Sequence, residues 1–337
     1  MEAAGVSRRL RVGLISFAHV HAAALASALA TLEQVELTGV HDEDPERGRA
    51  ASAAHATRWH ESLDDLLAAS EAVVVASTNV DHRRYTEAAA ARGVHVLSEK
   101  PIATTVADAR AMIDACRRAN VQLGIAFPVR GSAAVIALKE AIADGTLGRI
   151  RAVRATNPGQ YPGLWFGDKR RAGGGAVMDH TVHAADAIRW LLDDEFVRVH
   201  AELGSFVYGL DVEDCGILIC DLAKGGFASI DCSWSRPRTF PTWGGVTLHV
   251  VGELATVDID VFRQALTHYD DAAGRARLEG WGDDLTARMV ADFVDAILAG
   301  RPVPIDGEDG LRALEVAIAA YRSAEVGGPV AIAELRG

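Results

Sequence analysis

An aspartate, a histidine and a second aspartate stand at i, i+4 and i+7 in "GGGAVMDHTVHAADAIRW": Asp179, His183 and Asp186. On a helix that spacing puts all three on one face. Far upstream, "LSEKPIATT" sets Glu99, Lys100 and Pro101 directly after an apolar run. A histidine of ordinary pKa can take a proton from a hydroxyl near neutral pH. A lysine ammonium can hydrogen-bond that hydroxyl and stabilise negative charge developing on its oxygen. Asp179 can orient the imidazole or hold a substrate hydroxyl, and Asp186 reads as a supporting or ion-pair residue. An Asp-His-Asp face is also a metal-ligand pattern. An ammonium such as Lys100 beside it would repel a cation, so no metal is expected there.

These residues need a frame, and the pattern of the chain supplies one. Residues 10–128 alternate strand-like and helix-like segments, with strands predicted at 10–15, 35–40, 72–76, 94–98 and 121–126. Apolar strands alternating with amphipathic helices predict an α/β domain with a doubly wound parallel sheet. Glu99 and Lys100 then fall at the carboxyl end of a strand, where open α/β sheets bind ligands. After about residue 145 the pattern changes. A helix is predicted at 176–192, followed by period-two runs. "CGILICDLAKGGFASIDCSWS" reads as two strands around Lys224-Gly225-Gly226, and "GVTLHVVGELATVDID" as another pair. Helices at 284–299 and 308–324 close the chain. The expected organisation is a dinucleotide-binding domain over 8–128 and an α+β domain over 129–337 with a largely antiparallel, open sheet.

The first strand, turn and helix, "RVGLISFAHVHAAALASALA", has the frame of a dinucleotide site but not its glycines. The fingerprint G-x-G-x-x-G is replaced by Ser16, Ala18 and His21. Ala18 adds only a methyl, Ser16 can make the turn at some strain, and His21 is bulky where closeness is wanted. The helix N-terminus, which attracts pyrophosphate, needs no glycine. The expected cofactor contacts at this turn are Ser16, Phe17, Ala18 and His19. Asp42, about twenty residues on, stands where an acid meets the adenine ribose hydroxyls, which favours NAD; Arg47 and Arg49 leave NADP open. Asp44-Pro45-Glu46 reads as a helix cap and first turn.

Together the EKP motif, the glycine run with D-x-x-x-H-x-x-D, and "STNVDHRRY" after the third strand resemble the Gfo/Idh/MocA family. These are the glucose–fructose oxidoreductase and inositol dehydrogenase-like proteins, and the resemblance extends to the closing "FVDAILAGRPVPIDGEDGLRALEVAIAAYRSA". It implies a Rossmann domain and a second domain whose open sheet mediates homo-oligomers, a dimer or tetramer. It makes Lys100, Asp179 and His183 the catalytic residues and implies a cis Lys100–Pro101 bond. It adds Ser77, Thr78, Asn79, His82, Glu99 and Lys100 to the cofactor contacts. In "NPGQYPGLWFGDKRR", Tyr161, Trp165 and Phe166 are candidates to stack on a sugar ring, although simple packing fits them equally. The implied activity is NAD(P)-dependent hydride transfer to or from a hydroxyl of a sugar, cyclitol or related polyol. Two alternatives remain at this point: a cofactor-binding regulator without turnover, and an NAD-dependent glycoside hydrolase.

Composition bounds the rest. A net charge of −12 over 337 residues argues against nucleic acid and anionic membrane as partners. No apolar run reaches transmembrane length, and the first nine residues lack a signal-peptide core. Cys116, Cys215, Cys220 and Cys232 show no C-x-x-C spacing and read as buried free thiols of a cytoplasmic protein.

Overall fold

The computed structural model describes residues 8–280 and 282–336. The chain forms two compact units. One takes the residues through Ala126 together with Thr286–Leu311; the other takes Phe127–Leu285 and the chain from Arg312 onward.

The first unit is built on five strands, β1 (Leu10–Ile15), β2 (Val35–His41), β3 (Ala72–Val75), β4 (His95–Ser98) and β5 (Leu123–Ile125). Their order is β2-β1-β3-β4-β5, and every pairing is parallel. All four residues of β3 are buried, as expected of a strand covered on both faces. The helices are α1 (Ala22–Thr31), α2 (Pro45–Ala54), α3 (Leu63–Ala69), α4 (His82–Ala91) and α5 (Val106–Arg118). Local chemistry fixes several starts. Asp44 caps α2 by accepting from the Glu46 and Arg47 amides, with Pro45 at its first position, and Thr105 caps α5 through the Asp108 amide. The strand order reverses direction between β1 and β3, which puts the ligand crevice of such a sheet at the carboxyl ends of those strands. Its core joins Leu25 and Leu29 of α1 to Val12 and Val74, and takes in Met289, Val290, Phe293 and Val294 from much later in the chain.

The second unit contains α6 (Ala133–Ala143), β6 (Ile150–Thr156), a single turn α7 (Lys169–Ala172) and the long α8 (Ala176–Leu192). Strands β7 (Phe196–Gly204), β8 (Cys215–Leu222), β9 (Phe227–Asp231), β10 (Thr247–Gly252) and β11 (Thr256–Asp260) follow. After them come the ribbon β12 (Ala265–Asp270) and β13 (Arg275–Gly280), then α9 (Leu285–Leu298), α10 (Gly307–Val326) and β14 (Val330–Ala331). Seven strands form one sheet in the order β11-β10-β6-β9-β8-β7-β14. Five of its six pairings are antiparallel, and β6 with β9 is parallel. The predicted turn at 224–226 joins β8 to β9. On one face of that pair Leu218, Cys220, Ala228 and Ile230 are buried, while on the other Ile217, Ile219 and Phe227 are about half exposed, at 56%, 45% and 51%.

Helix α8 is fixed at its N-terminus by a half-buried carboxylate. Glu213 Oε1 accepts from the amides of Gly175 (2.8 Å) and Val177 (3.0 Å) and from the Tyr321 hydroxyl (2.7 Å). A side chain at Gly175 would collide with the Glu213 carbonyl, so the glycine entry is a close approach of two backbones. Burial raises the Glu213 carboxyl above its usual value, against the lowering pull of Tyr321 and the two amides. Glu213→Ala, which strands three donors, is expected to cost about 1–3 kcal/mol. Glu213→Gln keeps an oxygen for all three and costs less. A carboxyl raised by folding adds stability below its unfolded pKa and loses it as pH rises through the folded one. Urea unfolding at about pH 5 and pH 7.5 is therefore expected to favour wild type over Glu213→Gln more strongly at the lower pH.

Candidate active site

The candidate residues fall into two groups, one in each unit. In the first unit, the turn after β1 reproduces the glycine fingerprint without glycine. Ser16 adopts φ 68°, the left-handed conformation that the first glycine supplies. Its amide donates to the His41 carbonyl, its hydroxyl donates to Glu43 Oε1 (3.2 Å), and that hydroxyl oxygen accepts from the Ala18 amide (3.2 Å). The His19 amide is held by the Ala76 carbonyl at the end of β3. His21 sits at the N-cap of α1, its ring partly exposed, while Ala22, Leu25 and Ala26 make the close packing against the sheet. The bulk at the third fingerprint position is thus turned away from where closeness matters.

Asp42 is more committed than its sequence position suggests. Its carboxylate is buried and accepts from the Phe17 amide (2.7 Å), the Asp44 amide (2.8 Å) and both Nε (2.9 Å) and a terminal nitrogen (2.6 Å) of Arg47. Its first job is to lock the turn. Glu43, beside it and partly exposed, also pairs with Arg47. Burial would raise the Glu43 carboxyl, but its own amide, Ser16 and Arg47 outweigh that and hold it below its usual value.

Ser77, Thr78 and Asn79 are buried just past β3, with the Thr78 hydroxyl on Asp81 (2.7 Å). Glu99 and Lys100 are buried past β4, and the Lys100–Pro101 bond is cis. His82 Nδ1 meets the Pro101 carbonyl at 2.9 Å, so α4 holds the EKP turn in place. Burial pushes the His82 imidazole down, against the raising effect of that carbonyl, and favours its neutral form. Glu99 Oε2 accepts from the Lys100 amide (3.1 Å), and Oε1 faces His21 Nδ1 at 3.2 Å. Burial raises the Glu99 carboxyl, yet His19 and His21 outweigh it and hold the group well below the usual range.

In the second unit, α8 carries Asp179, His183 and Asp186, all buried. Asp179 Oδ2 accepts from Trp234 Nε1 (3.1 Å) and lies 3.2 Å from His180 Nε2. His183 meets the edge of the Phe127 ring, centroids 5.9 Å apart. Asp186 pairs with Arg130, whose Nε donates to it at 2.8 Å, so it is a buried ion pair that seats the helix. Tyr161 is partly exposed, its ring 5.0 Å from Trp234 and 5.2 Å from Tyr208. Trp165 differs from the stacking role open to it in sequence. It is 5% exposed and stacks on Phe166 at 4.1 Å in a core with Ala172, Ala176, Val212 and Trp234. Sequence reasoning missed His180, Trp234, Glu213 and Arg130. Only His180, adjacent to Asp179, carried a local signal.

Sequence models of one family match both parts of the chain. The first, described as an oxidoreductase family with an NAD-binding Rossmann fold, covers residues 10–127; the second, the Gfo/Idh/MocA C-terminal domain, covers 135–258. The chain belongs to the Gfo/Idh/MocA family. Within that family, the 1,5-anhydro-D-fructose reductase of Ensifer adhaerens is 44% identical over 128 residues, 37% of this chain and 38% of that protein. The myo-inositol 2-dehydrogenase of Thermotoga maritima is 27% identical over 290 residues, 82% of this chain and 84% of that protein. The crystal structure of GenD2 from gentamicin A biosynthesis, in complex with NAD, superposes with a TM-score of 0.87 at 28% identity, over 96% of each chain.

The first unit fits the family's cofactor on its own geometry. Ser16 takes the glycine conformation, Ala18 leaves only a methyl at the second position, and α1 has no acidic residue in its first turn and no side-chain cap. A helix start without an acidic side chain on it is what a pyrophosphate requires. The burial of Trp165 sets a test. Trp165→Ala is expected to destabilise the protein by about 3–5 kcal/mol in urea unfolding, as loss of a large core side chain does. A stable variant with an altered KM would instead put the ring against substrate.

Proposed function

We propose that this protein transfers a hydride between NAD and a carbon bearing a hydroxyl in a sugar, cyclitol or related polyol. The observation that carries the reading is an imidazole, His183, one helical turn from a carboxylate, Asp179, that Trp234 and His180 hold in place. The relatives named for anhydrofructose and myo-inositol support the substrate class. Bound NAD supplies the hydride acceptor. In the direction of oxidation, His183 takes the hydroxyl proton as general base. Lys100 donates a hydrogen bond to the same oxygen and stabilises the charge developing there. Asp179 holds a neighbouring substrate hydroxyl or orients the imidazole, and Tyr161 supplies an aromatic wall.

On the cofactor side, the Ser16–His19 turn and the first amides of α1 receive the pyrophosphate. Ser77, Thr78, Asn79 and Glu99 would hold the cofactor beyond the turn, with His82 supporting the EKP turn. The acids favour NAD over NADP, because Arg47 is already paired with Asp42 and Glu43. Two coarser readings accompany this one. The half-exposed Ile217, Ile219 and Phe227 on one face of the seven-stranded sheet support a homo-oligomer through that face. Among the described residues no helix is long and apolar enough to cross a membrane, and the buried free thiols of Cys116, Cys220 and Cys232 suit the cytoplasm.

Steady-state kinetics with polyols and aldoses, following reduced cofactor, test the assignment. His183→Ala is expected to lose about a hundredfold to ten-thousandfold in kcat, with NAD binding by calorimetry unchanged. Lys100→Met behaves alike, and the double variant loses far less than the product of the singles, as residues serving one proton transfer do. Near-wild-type turnover in either single variant would refute the roles, and absence of NAD binding to wild type would refute the cofactor.

A further inference from the structure

Trp234 and His180 both reach Asp179 Oδ2, and each touches a further aromatic ring that is partly open to solvent. Trp234, which donates from Nε1, has the partly exposed Tyr161 ring 5.0 Å away. His180, with Nε2 at 3.2 Å from the same oxygen, meets Trp243 edge to face, 6.5 Å between centroids. Trp243 is 42% exposed, whereas Trp165 and Trp234 are spent in the core.

Trp243 stands on the connection between β9 and β10, and that connection is pinned from two sides. Arg236 Nη1 donates to the Thr242 hydroxyl (2.6 Å), to the Thr242 carbonyl (3.3 Å) and to the Gly244 carbonyl. Its guanidinium carbon also lies 4.1 Å from the centroid of the Phe240 ring. Opposite, the Gln160 amide donates to the Trp243 carbonyl (3.0 Å), Gly159 bridges Gly244, and Asn157 Nδ2 donates to the Gly245 carbonyl (2.7 Å). Gly159 also lies against the His180 ring, where a Cβ would stand 2.5 Å from Cε1. One short segment thus fixes both the indole and the imidazole beside Asp179. Ordering a loop this firmly costs conformational entropy, yet it leaves much of a large aromatic side chain in water. Ligand pockets combine such a fixed aromatic wall with a few placed polar groups, and here the polar group is Asp179.

A pyranose or inositol with equatorial hydroxyls carries its axial C–H bonds on the two faces of the ring. Those faces pack on an indole as other apolar surfaces do. An open-chain polyol has no fixed face and loses more rotational freedom when it is bound flat. We propose that Trp243 is the platform on which the substrate ring stacks, with Asp179 one imidazole away to hold a hydroxyl at the ring's edge. The site then selects cyclic polyols, pyranosides and inositols, over open-chain ones. This selectivity rests on the sugar, cyclitol or polyol reading of the same site and narrows it.

Saturation-transfer difference NMR on the full-length protein loaded with NADH tests the platform without turnover. The probes are methyl β-D-glucopyranoside and D-glucitol. Saturation of the protein's aromatic protons is expected to reach H1, H3 and H5 of the glucoside, which share one ring face, more strongly than H2 and H4. D-Glucitol is expected to bind at least about tenfold more weakly. Trp243→Ala is expected to abolish the difference between the faces and to weaken glucoside binding about two- to tenfold, while Trp243→Phe retains most of both. Circular dichroism establishes that each variant is folded, and NADH affinity by calorimetry is expected to stay unchanged. The platform is overturned if wild type transfers nothing to the glucoside, transfers evenly to both faces, or binds D-glucitol as tightly. These wild-type measurements decide even where a variant fails to fold. A folded Trp243→Ala that behaves as wild type overturns it too. Face-selective transfer without cofactor reduction in the kinetic assay would instead remove the hydride-transfer reading and leave the platform standing.

Discussion

A helix buried on nearly every side cannot carry an unmatched polar group without a large cost, and α8 carries four buried titratable ones. Asp179, His180, His183 and Asp186 are all buried, and the second unit is arranged around matching the two carboxylates. Arg130 answers Asp186, Trp234 and His180 answer Asp179, and Glu213 answers the amides at the helix start. These partners come from separate parts of the chain. Together they fix the rotation of α8 about its axis and its position along it. Turning the helix would strand two carboxylates at once, so the seat of the candidate residues is also a large part of the unit's stability. Preorganisation of this kind lets a site act without rearranging its own dipoles.

The first unit solves a different problem, a tight turn without the residue that makes such turns easily. A left-handed conformation costs an L-residue about 1–2 kcal/mol, and at Ser16 that cost is offset by a local hydrogen-bond set. The Ser16 hydroxyl reaches Glu43 and the Ala18 amide, Asp42 takes the Phe17 amide, and Arg47 ties Asp42 to Glu43. Side chains from the end of β2 thus do what backbone freedom does elsewhere. Asp42 and Glu43 consequently fix the shape of the turn and set its charge at the same time.

Much of this was legible from local pattern. All five strands of the parallel sheet, α8 with its Asp179–His183 face, the β8–β9 turn and the Asp44 cap are short-range features, and spacing reports them directly. What escaped notice depends on contacts between distant residues. Trp234 reaches Asp179 across 55 positions and Arg130 reaches Asp186 across 56, and no spacing announces either. Trp165 is ambiguous in sequence for a related reason: an aromatic in a glycine-rich loop looks alike whether it turns outward or inward until its neighbours, Val212 and Trp234, are known. The parallel β6–β9 pair within an otherwise antiparallel sheet is likewise invisible to strand alternation, which reports burial but not partnership.

The return of Thr286–Leu311 to the first unit has a consequence for synthesis. The core around α1 and β1 includes Met289, Val290, Phe293, Val294 and Val303, all made after most of the second unit. At ribosomal speeds of about 5–20 residues per second, roughly nine to thirty-five seconds separate the emergence of Ala126 from that of Val303. Throughout that interval the core around Leu25, Leu29 and Val12 lacks the side chains of Met289, Val290, Phe293, Val294 and Val303. The second unit loses only its last helix and short strand to the same delay. Vectorial folding, which ordinarily completes the amino-terminal domain first, is therefore reordered here: the unit that begins the chain is completed only once Thr286–Leu311 has been made.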